Sequence, residues 1–472
     1  DENDGLAVGG ISLRDAVNAQ ATDPVEFIQF APQLNGGTIV LNQMVGSFLH
    51  DLAIDAGDLP SGIRISGNDL SPIFQFVWCR AYLRNLTLEK SNTAAVTVAD
   101  TFLEMQDCIL RDNHSSTSGG ALKTIGSLST FAILRKCHFD ANTSDGAGGA
   151  ISNEGVIHVI DSTFTQNHAQ LSGGAISSGA YHSGMRLINS TLTGNSSKMN
   201  GGGLAAASAQ LIHSTITGNS APNGNGGGIH SASTFDNPEL GFTYANCIIA
   251  GNSASSASDV SGLINATYGG NLVGTDPRLA PLADYGSDIP VMPPLAGSPA
   301  IEGGQLLDET PPLDALGHAR PSGPLPDLGA VEAFAWSQLT LLDTDHDGID
   351  DRLEPAYQMT VGIDDSARDL DGDGCTDAVE LSNMTDPADP QSKFGILAIV
   401  PAAGFDPATN PVFDITFSSF PGLNYTAECH SGLDFGGPGT RNTPLGTADD
   451  FQCTRRVTME HSRDFLRVRR DP

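Results

Sequence analysis

Between residues 102 and 252 the apolar positions fall in short alternating runs, broken by asparagine and glycine, with no stripe at i, i+3, i+4. That pattern predicts strands and tight corners rather than helices. The runs repeat: CILRDN, CHFDAN, STFTQN, STLTGN, STITGN and CIIAGN each hold Cys or Ser, an apolar residue two later and Asn three after that. The apolar residues are Leu110, Phe139, Phe164, Leu192, Ile216 and Ile249; the asparagines are Asn113, Asn142, Asn167, Asn195, Asn219 and Asn252, spaced 29, 25, 28, 24 and 33 apart. In five copies a Gly-Gly-(Ala/Gly)-(Leu/Ile) phrase follows, from Gly119, Gly148, Gly173, Gly201 and Gly226. A period of about 25 residues with several short strands predicts a solenoid, a right-handed parallel β-helix with coils about 4.8 Å apart. In it each apolar residue stacks on its counterpart. The asparagines are expected to take a left-handed corner conformation and to bond to one another, and the glycines to make the opposite corner. The segment from each Leu/Ile to the next Cys/Ser varies in length, so insertions should project from one edge; Tyr181, His182 and His230 to Asn237 lie in two of them.

The rest of the chain divides around this block. Residues 1–26 read as an N-terminal cap, because Ser12 and Asp15 make a capping pattern and Leu13, Ala16 and Val17 share a helix face. The β-helix spans 27–340: irregular early coils to about residue 90, then the clear repeats, then a Pro/Gly-rich stretch from 253 that reads as last rungs and an exit linker. Residues 341–392 form a module apart, and 393–472, with Phe413, Ile415 and Phe417 in alternation, read as a small β-sandwich.

The charge sets the partners. Fifty-five acids against 23 bases give −32, which argues against nucleic acid and suits divalent cations. From 454 to 472 six arginines face Glu460, Asp464 and Asp471, so this end carries 6 − 3 = +3 and the remainder −35. A basic end on an acidic rod would favour head-to-tail self-association, or serve as the charged edge that prevents it. No apolar run is long enough to span a membrane. The chain opens at Asp1 rather than Met and ends without a hydrophobic or sorting-type anchor, which reads as a mature, exported chain. Of seven cysteines, Cys108, Cys137 and Cys247 occupy the Cys/Ser slot as small core residues, with Cys108 and Cys137 in adjacent coils and within reach of a disulfide; Cys429 and Cys453 are the best candidate pair.

The strongest chemical signal is a doublet. "DTDHDGIDDRLE" (343–354) and "DLDGDGCTDAVE" (369–380) both fit the twelve-residue calcium loop. In the first, Asp343, Asp345, Asp347, Asp351 and Glu354 would supply carboxylates and Ile349 its carbonyl. In the second, Asp369, Asp371, Asp373, Asp377 and Glu380 would do so, with the carbonyl of Cys375. Alternate residues of a tight loop point to one centre, and a hard cation takes oxygen ligands. Thirteen acids and two arginines between 343 and 380 give 2 − 13 = −11, a charge that repels itself without cations. Calcium is therefore the expected cofactor, in a structural rather than sensory role.

These residues carry resemblances. The 102–252 repeats resemble the F-x-x-N and G-G-A-I repeats of polymorphic outer-membrane-type bacterial β-helices. Residues 1–334, with "SLRDAVNAQ", "GGNLVGTDPRL" and "GSPAIEGG…DALGHARPSGPLPDLGAVE", look like a choice-of-anchor β-helix domain, although Glu302 stands where that family usually has Asp. The 343–388 segment is similar to bacterial thrombospondin type 3 calcium repeats, and 395–472 resembles the small β domain that often follows them. The resemblance implies a secreted or surface-attached bacterial protein with no defined reaction. The leading expectation is a calcium-stabilised structural or adhesive protein, with its own copies or extracellular glycans as partners. A calcium-dependent glycan-binding β-helix without catalysis is one alternative, and a polysaccharide lyase or hydrolase is the other. That chemistry needs an acid/base pair, and the coils show no paired carboxylates and only scattered histidines (His158, His168, His182, His213), so no catalytic residue is assigned.

Overall fold

The computed structural model describes residues 12–20, 27–126, 129–179, 184–233, 241–287, 289–334 and 342–392, and beyond them 396–402 and the strands Val412–Ser418, Asn424–His430, Arg441–Thr447, Gln452–Thr458 and Phe465–Arg470. Its main body is a parallel β-solenoid. One coil shows the plan: Phe102–Gln106 belongs to sheet A, Ile109–Arg111 to sheet B, His114–Ser115 to the short sheet C and Leu122–Ile125 to sheet D, before Phe131–Arg135 returns to sheet A. Sheets A and B have ten strands each, sheet D nine and sheet C six, and every solenoid pairing is parallel.

The stacking expected of the repeat is present. Leu110, Phe139, Phe164, Leu192, Ile216 and Ile249 are paired in register and fully buried. Phe139 and Phe164 stack with ring centroids 4.6 Å apart and planes 3° from parallel. Each such side chain contributes roughly 1.5–3 kcal/mol by leaving water.

The asparagines form a buried ladder, but not in the conformation expected. Each Nδ2 donates to the Oδ1 of the next Asn, at 2.9 Å for Asn113 to Asn142, 3.0 Å for Asn142 to Asn167 and 2.9 Å for Asn167 to Asn195. The left-handed residue is the one before: Asp112, Ala141, Gln166, Gly194, Gly218 and Gly251 have φ between 52° and 70°. The strand must turn before the Asn so that its side chain can point inward. At the other corner the two glycines have different duties. Gly148 has φ 70°, while a Cβ on Gly149 would meet the carbonyl oxygen of Gly174 at 2.2 Å.

The Cys/Ser slot also has a physical reason. Cys108, Cys137, Ser162, Ser190, Ser214 and Cys247 each donate an S–H or O–H to the carbonyl two residues earlier, at 2.8–3.4 Å. The slot closes the corner between sheets A and B. Cys108 and Cys137 are therefore free buried thiols, not a disulfide; their hydrogens are already committed to carbonyls. The side chains of Cys429 and Cys453 lie outside the described residues, as do Tyr181, His182 and 234–237.

Helix Leu13–Gln20 starts where Ser12 Oγ accepts the Asp15 N–H at 3.1 Å, and Leu13 and Val17 enter the solenoid core. Residues 276–334 are not an exit linker. They lie along the side of the solenoid as a strap: Thr163 Oγ1 donates to Pro290 O, Asn189 Nδ2 to Leu313 O and the Ala330 N–H to Thr215 Oγ1, each at 2.8–3.0 Å. The strap is pinned by a buried cluster in which Arg320 bonds to His213 and lies 3.1 Å from Glu332. Ala280, Tyr285 and Val331 of the strap share a core with Ile349, Leu353, Tyr357 and Leu381 of the next module. The last strands form two three-stranded antiparallel sheets, and Ile415, Phe417, Tyr425, Ala427, Val457 and Val468 are buried together.

Candidate metal centres

The two acidic loops fold alike, bond for bond. In the first, Asp343 Oδ1 accepts the N–H groups of His346 (2.7 Å) and Asp347 (3.2 Å), and Oδ2 that of Gly348 (3.1 Å). In the second, Asp369 Oδ1 accepts from Gly372 (2.8 Å) and Asp373 (3.2 Å), and Oδ2 from Gly374 (3.0 Å). Gly348 and Gly374 make the turn at φ 88° and 96°, where a side chain would be strained. The loops bring together one ligand atom from each of Asp343, Asp345 and Asp347, all within 4.8 Å of one another, and likewise from Asp369, Asp371 and Asp373.

The closing glutamates come from short helices whose apolar residues anchor them. Glu354 opens the 3-10 turn Glu354–Tyr357, held by buried Leu353 and Tyr357; Glu380 lies in helix Asp377–Ser382, held by buried Leu381. Both glutamates have 0% exposure. Glu354 has no hydrogen-bond partner on either carboxylate oxygen, and Glu380 Oε2, Asp345 Oδ2 and Asp371 Oδ2 also lack one. Burial, then the charges of Asp345 and Asp347, push the Glu354 carboxyl up to about 7; burial, then Asp371 and Asp373, push that of Glu380 up to about 8. Anionic oxygens converging without donors are relieved either by a proton or by a cation, and an all-oxygen set suits a hard cation.

The other expected ligands are placed differently. Asp351 accepts both the N–H (2.9 Å) and the hydroxyl (2.6 Å) of Thr344, one on each oxygen, and Asp377 Oδ1 accepts the Leu370 N–H at 2.8 Å. Both tie the ninth position of the loop to its second. The Ile349 side chain is buried in the module core, and Cys375 is half-buried. Asp365 was not foreseen. Its N–H donates to Asp347 Oδ2 at 2.9 Å and its charge acts on Glu354, so it joins the first centre from outside the twelve-residue motif.

The module is clamped to the strap by one ion pair and by an arginine that reaches across. Arg278 pairs with buried Asp386, with Nη2 2.6 Å from Oδ1. Arg352 chelates Asp350 at 2.7 and 2.6 Å, bonds to the carbonyl of Asp284 and lies 4.9 Å over the Tyr285 ring. Two of the histidines on the coils are occupied: His168 contacts Ser196 Oγ at 2.8 Å, and His213, beside Arg320 and Asn246, is pushed down to about 2, chiefly by burial.

Residues 161–179, which make most of one coil, match the Chlamydia polymorphic membrane protein repeat. No curated protein matches the chain. Among the described residues no helix is long and apolar enough to cross a membrane. In this coil and in its solenoid fold the chain is similar to bacterial surface proteins of the polymorphic outer-membrane type, which supports a bacterial cell-surface character.

Proposed function

We propose that this chain is a secreted, calcium-stabilised structural or adhesive bacterial protein. The observation that carries this reading is the set of buried carboxylate oxygens of Glu354, Glu380, Asp345 and Asp371 with no donor, repeated in two loops of the same geometry. In each loop the first three aspartates and the closing glutamate would hold one calcium ion, helped by the carbonyl of Ile349 or Cys375. The first site would also draw on the charge of Asp365. Because Arg278 and Arg352 tie the module to the strap, and the strap to the solenoid, calcium would stiffen the joint between the solenoid and the C-terminal sheets. The +3 end against −35 elsewhere supports head-to-tail assembly as the form of the structural role.

Calorimetric titration of the chelated chain with calcium tests the first part. Two sites per chain are expected, and at one hundred times Kd each would add about 2.7 kcal/mol to the stability of the module it closes. Binding that survives Glu354→Gln and Glu380→Gln together would remove the assignment. Negative-stain microscopy with calcium and after chelation tests assembly: filaments that fray on chelation support it, and isolated rods in both conditions refute it.

A further inference from the structure

On the outer face of sheet A, five successive strands, Arg80–Arg84, Phe102–Gln106, Phe131–Arg135, Val156–Ile160 and Gly184–Ile188, present their first, third and fifth residues outward. Those positions hold four arginines (Arg80, Arg84, Arg135 and Arg186) and a single carboxylate, Glu104, in a chain of net charge −32. Arg84 lies near Asp55 and Asp107; among the described residues no carboxylate pairs with Arg80, Arg135 or Arg186. Arg186 Nε is buried and has no hydrogen-bond partner. Beside them, Phe102 and Phe131 stack at 5.7 Å and 14°, with Phe102 39% exposed, and His158 meets the Phe131 ring edge-on at 5.0 Å. His158 feels the arginines: burial first, then Arg186 and Arg135, lower its pKa. The register carries Arg80 onto Phe102, Phe102 onto Phe131 and His158 onto Arg186. The track therefore follows the solenoid axis for four steps, about 19 Å. It ends where Gln210 donates to Glu309 of the strap, whose Asp308 and Glu309 line a cavity of about 490 Å³ with Tyr244 and Tyr268.

We propose that this face binds an extended acidic polysaccharide of the uronate class, laid along sheet A between Arg80 and Arg186. Guanidinium groups match carboxylates in a bidentate fork, and the exposed Phe102 ring, with half-buried Phe131 beside it, offers an apolar surface to pyranose rings. A repeat of cations along an axis suits a polymer with a repeat of its own. The strap's two carboxylates repel the polyanion and set the far end of the track. The inference rests on the adhesive reading above and names what is held.

The test uses the full chain in calcium and size-fractionated polygalacturonate, with dextran as the uncharged comparison. Binding to polygalacturonate and not dextran is expected, weakening with salt. Arg135→Gln and Arg186→Gln should each lower affinity about tenfold, Phe131→Ala should lower it as well, and Arg111→Gln, which removes a cation paired with Glu89 on sheet B, should leave it unchanged. Arg135 is exposed, so its variant should melt with the parent. No binding at low salt, or binding indifferent to Arg135 and Arg186, overturns the proposal. So does a parent that self-associates through these arginines in sedimentation without binding polygalacturonate, because the face would then serve a second copy. A chain that fails here yet keeps two calcium sites loses this inference alone.

Discussion

Asn167 sits in the middle of the asparagine ladder, fully buried. Its Nδ2 donates to Phe139 O and to Asn195 Oδ1, both at 2.9 Å, and its Oδ1 accepts the backbone N–H and the Nδ2 of Asn142, both at 3.0 Å. Asn167→Ala removes all four bonds at once. The Asn142 N–H loses its acceptor in a site closed to water, at about 1–3 kcal/mol, and the three lesser losses bring the sum to roughly 3–5 kcal/mol. A 472-residue chain of several modules does not unfold in one step, so a single melting point would misreport this. Hydrogen exchange read by mass spectrometry on peptides covering 137–195 reports the local opening instead. Exchange in the coils of Asn142, Asn167 and Asn195 should quicken by roughly two to three and a half powers of ten, fading with distance because each coil touches only its neighbours. A change below a factor of about ten in those coils would refute the reasoning and show that the ladder is filled in by water.

Chelation of the wild-type chain should raise exchange across 343–392 and leave 102–179 unchanged; equal effects in both would contradict a local role for calcium. Arg278→Met removes the partner of Asp386 and strands a buried carboxylate, which should lower the module's stability by roughly 3–5 kcal/mol, read by limited proteolysis between 342 and 392. His213 has its folded pKa depressed to about 2, so its stabilising effect is present above the unfolded value of 6.5 and is lost as pH falls below it. Between pH 6 and 4 this contribution alone amounts to about 1.4 kcal/mol per pH unit, so His213→Gln should change the slope of stability against pH by that amount relative to the parent in chemical denaturation. Asp327, raised from 3.8 to about 7 by burial and Glu332, works in the opposite sense, its stabilising effect being lost as pH rises from the lower value to the higher, so it offsets His213 over pH 4–6 in the parent and the His213 variant leaves its slope alone.

What could be read from the sequence follows from repetition. Phe139 and Phe164 could be placed because the same letter returns at the same place in each coil. The sequence points to the Asn as the left-handed corner because its predecessors Asp112, Ala141, Gln166 and Gly194 share no chemistry, and only the constant residue stands out. The Cys/Ser slot showed its size but not its bond to a carbonyl, which depends on where sheet A ends. The strap was illegible because its partners, such as Thr163 and Pro290 or His213 and Arg320, stand more than a hundred residues apart and occur once each. In the acidic module the first three aspartates of each loop came out together as their spacing implied, whereas Asp365 lay outside the motif and could be found only in space.

The strap also orders the assembly of the molecule in time. Each coil from residue 52 to about 160 contacts neighbours some 25 residues away and can form as the chain lengthens. The coils beyond cannot: His213 waits for Arg320, Thr215 for Ala330 and Asn189 for Leu313. Until the strap arrives, these later rungs hold polar groups whose partners have not yet been made. A chain ended at residue 273 should therefore protect its first coils from exchange and leave those around 189–246 open, so that the second half of the solenoid is completed only after residues 313–330 have been made.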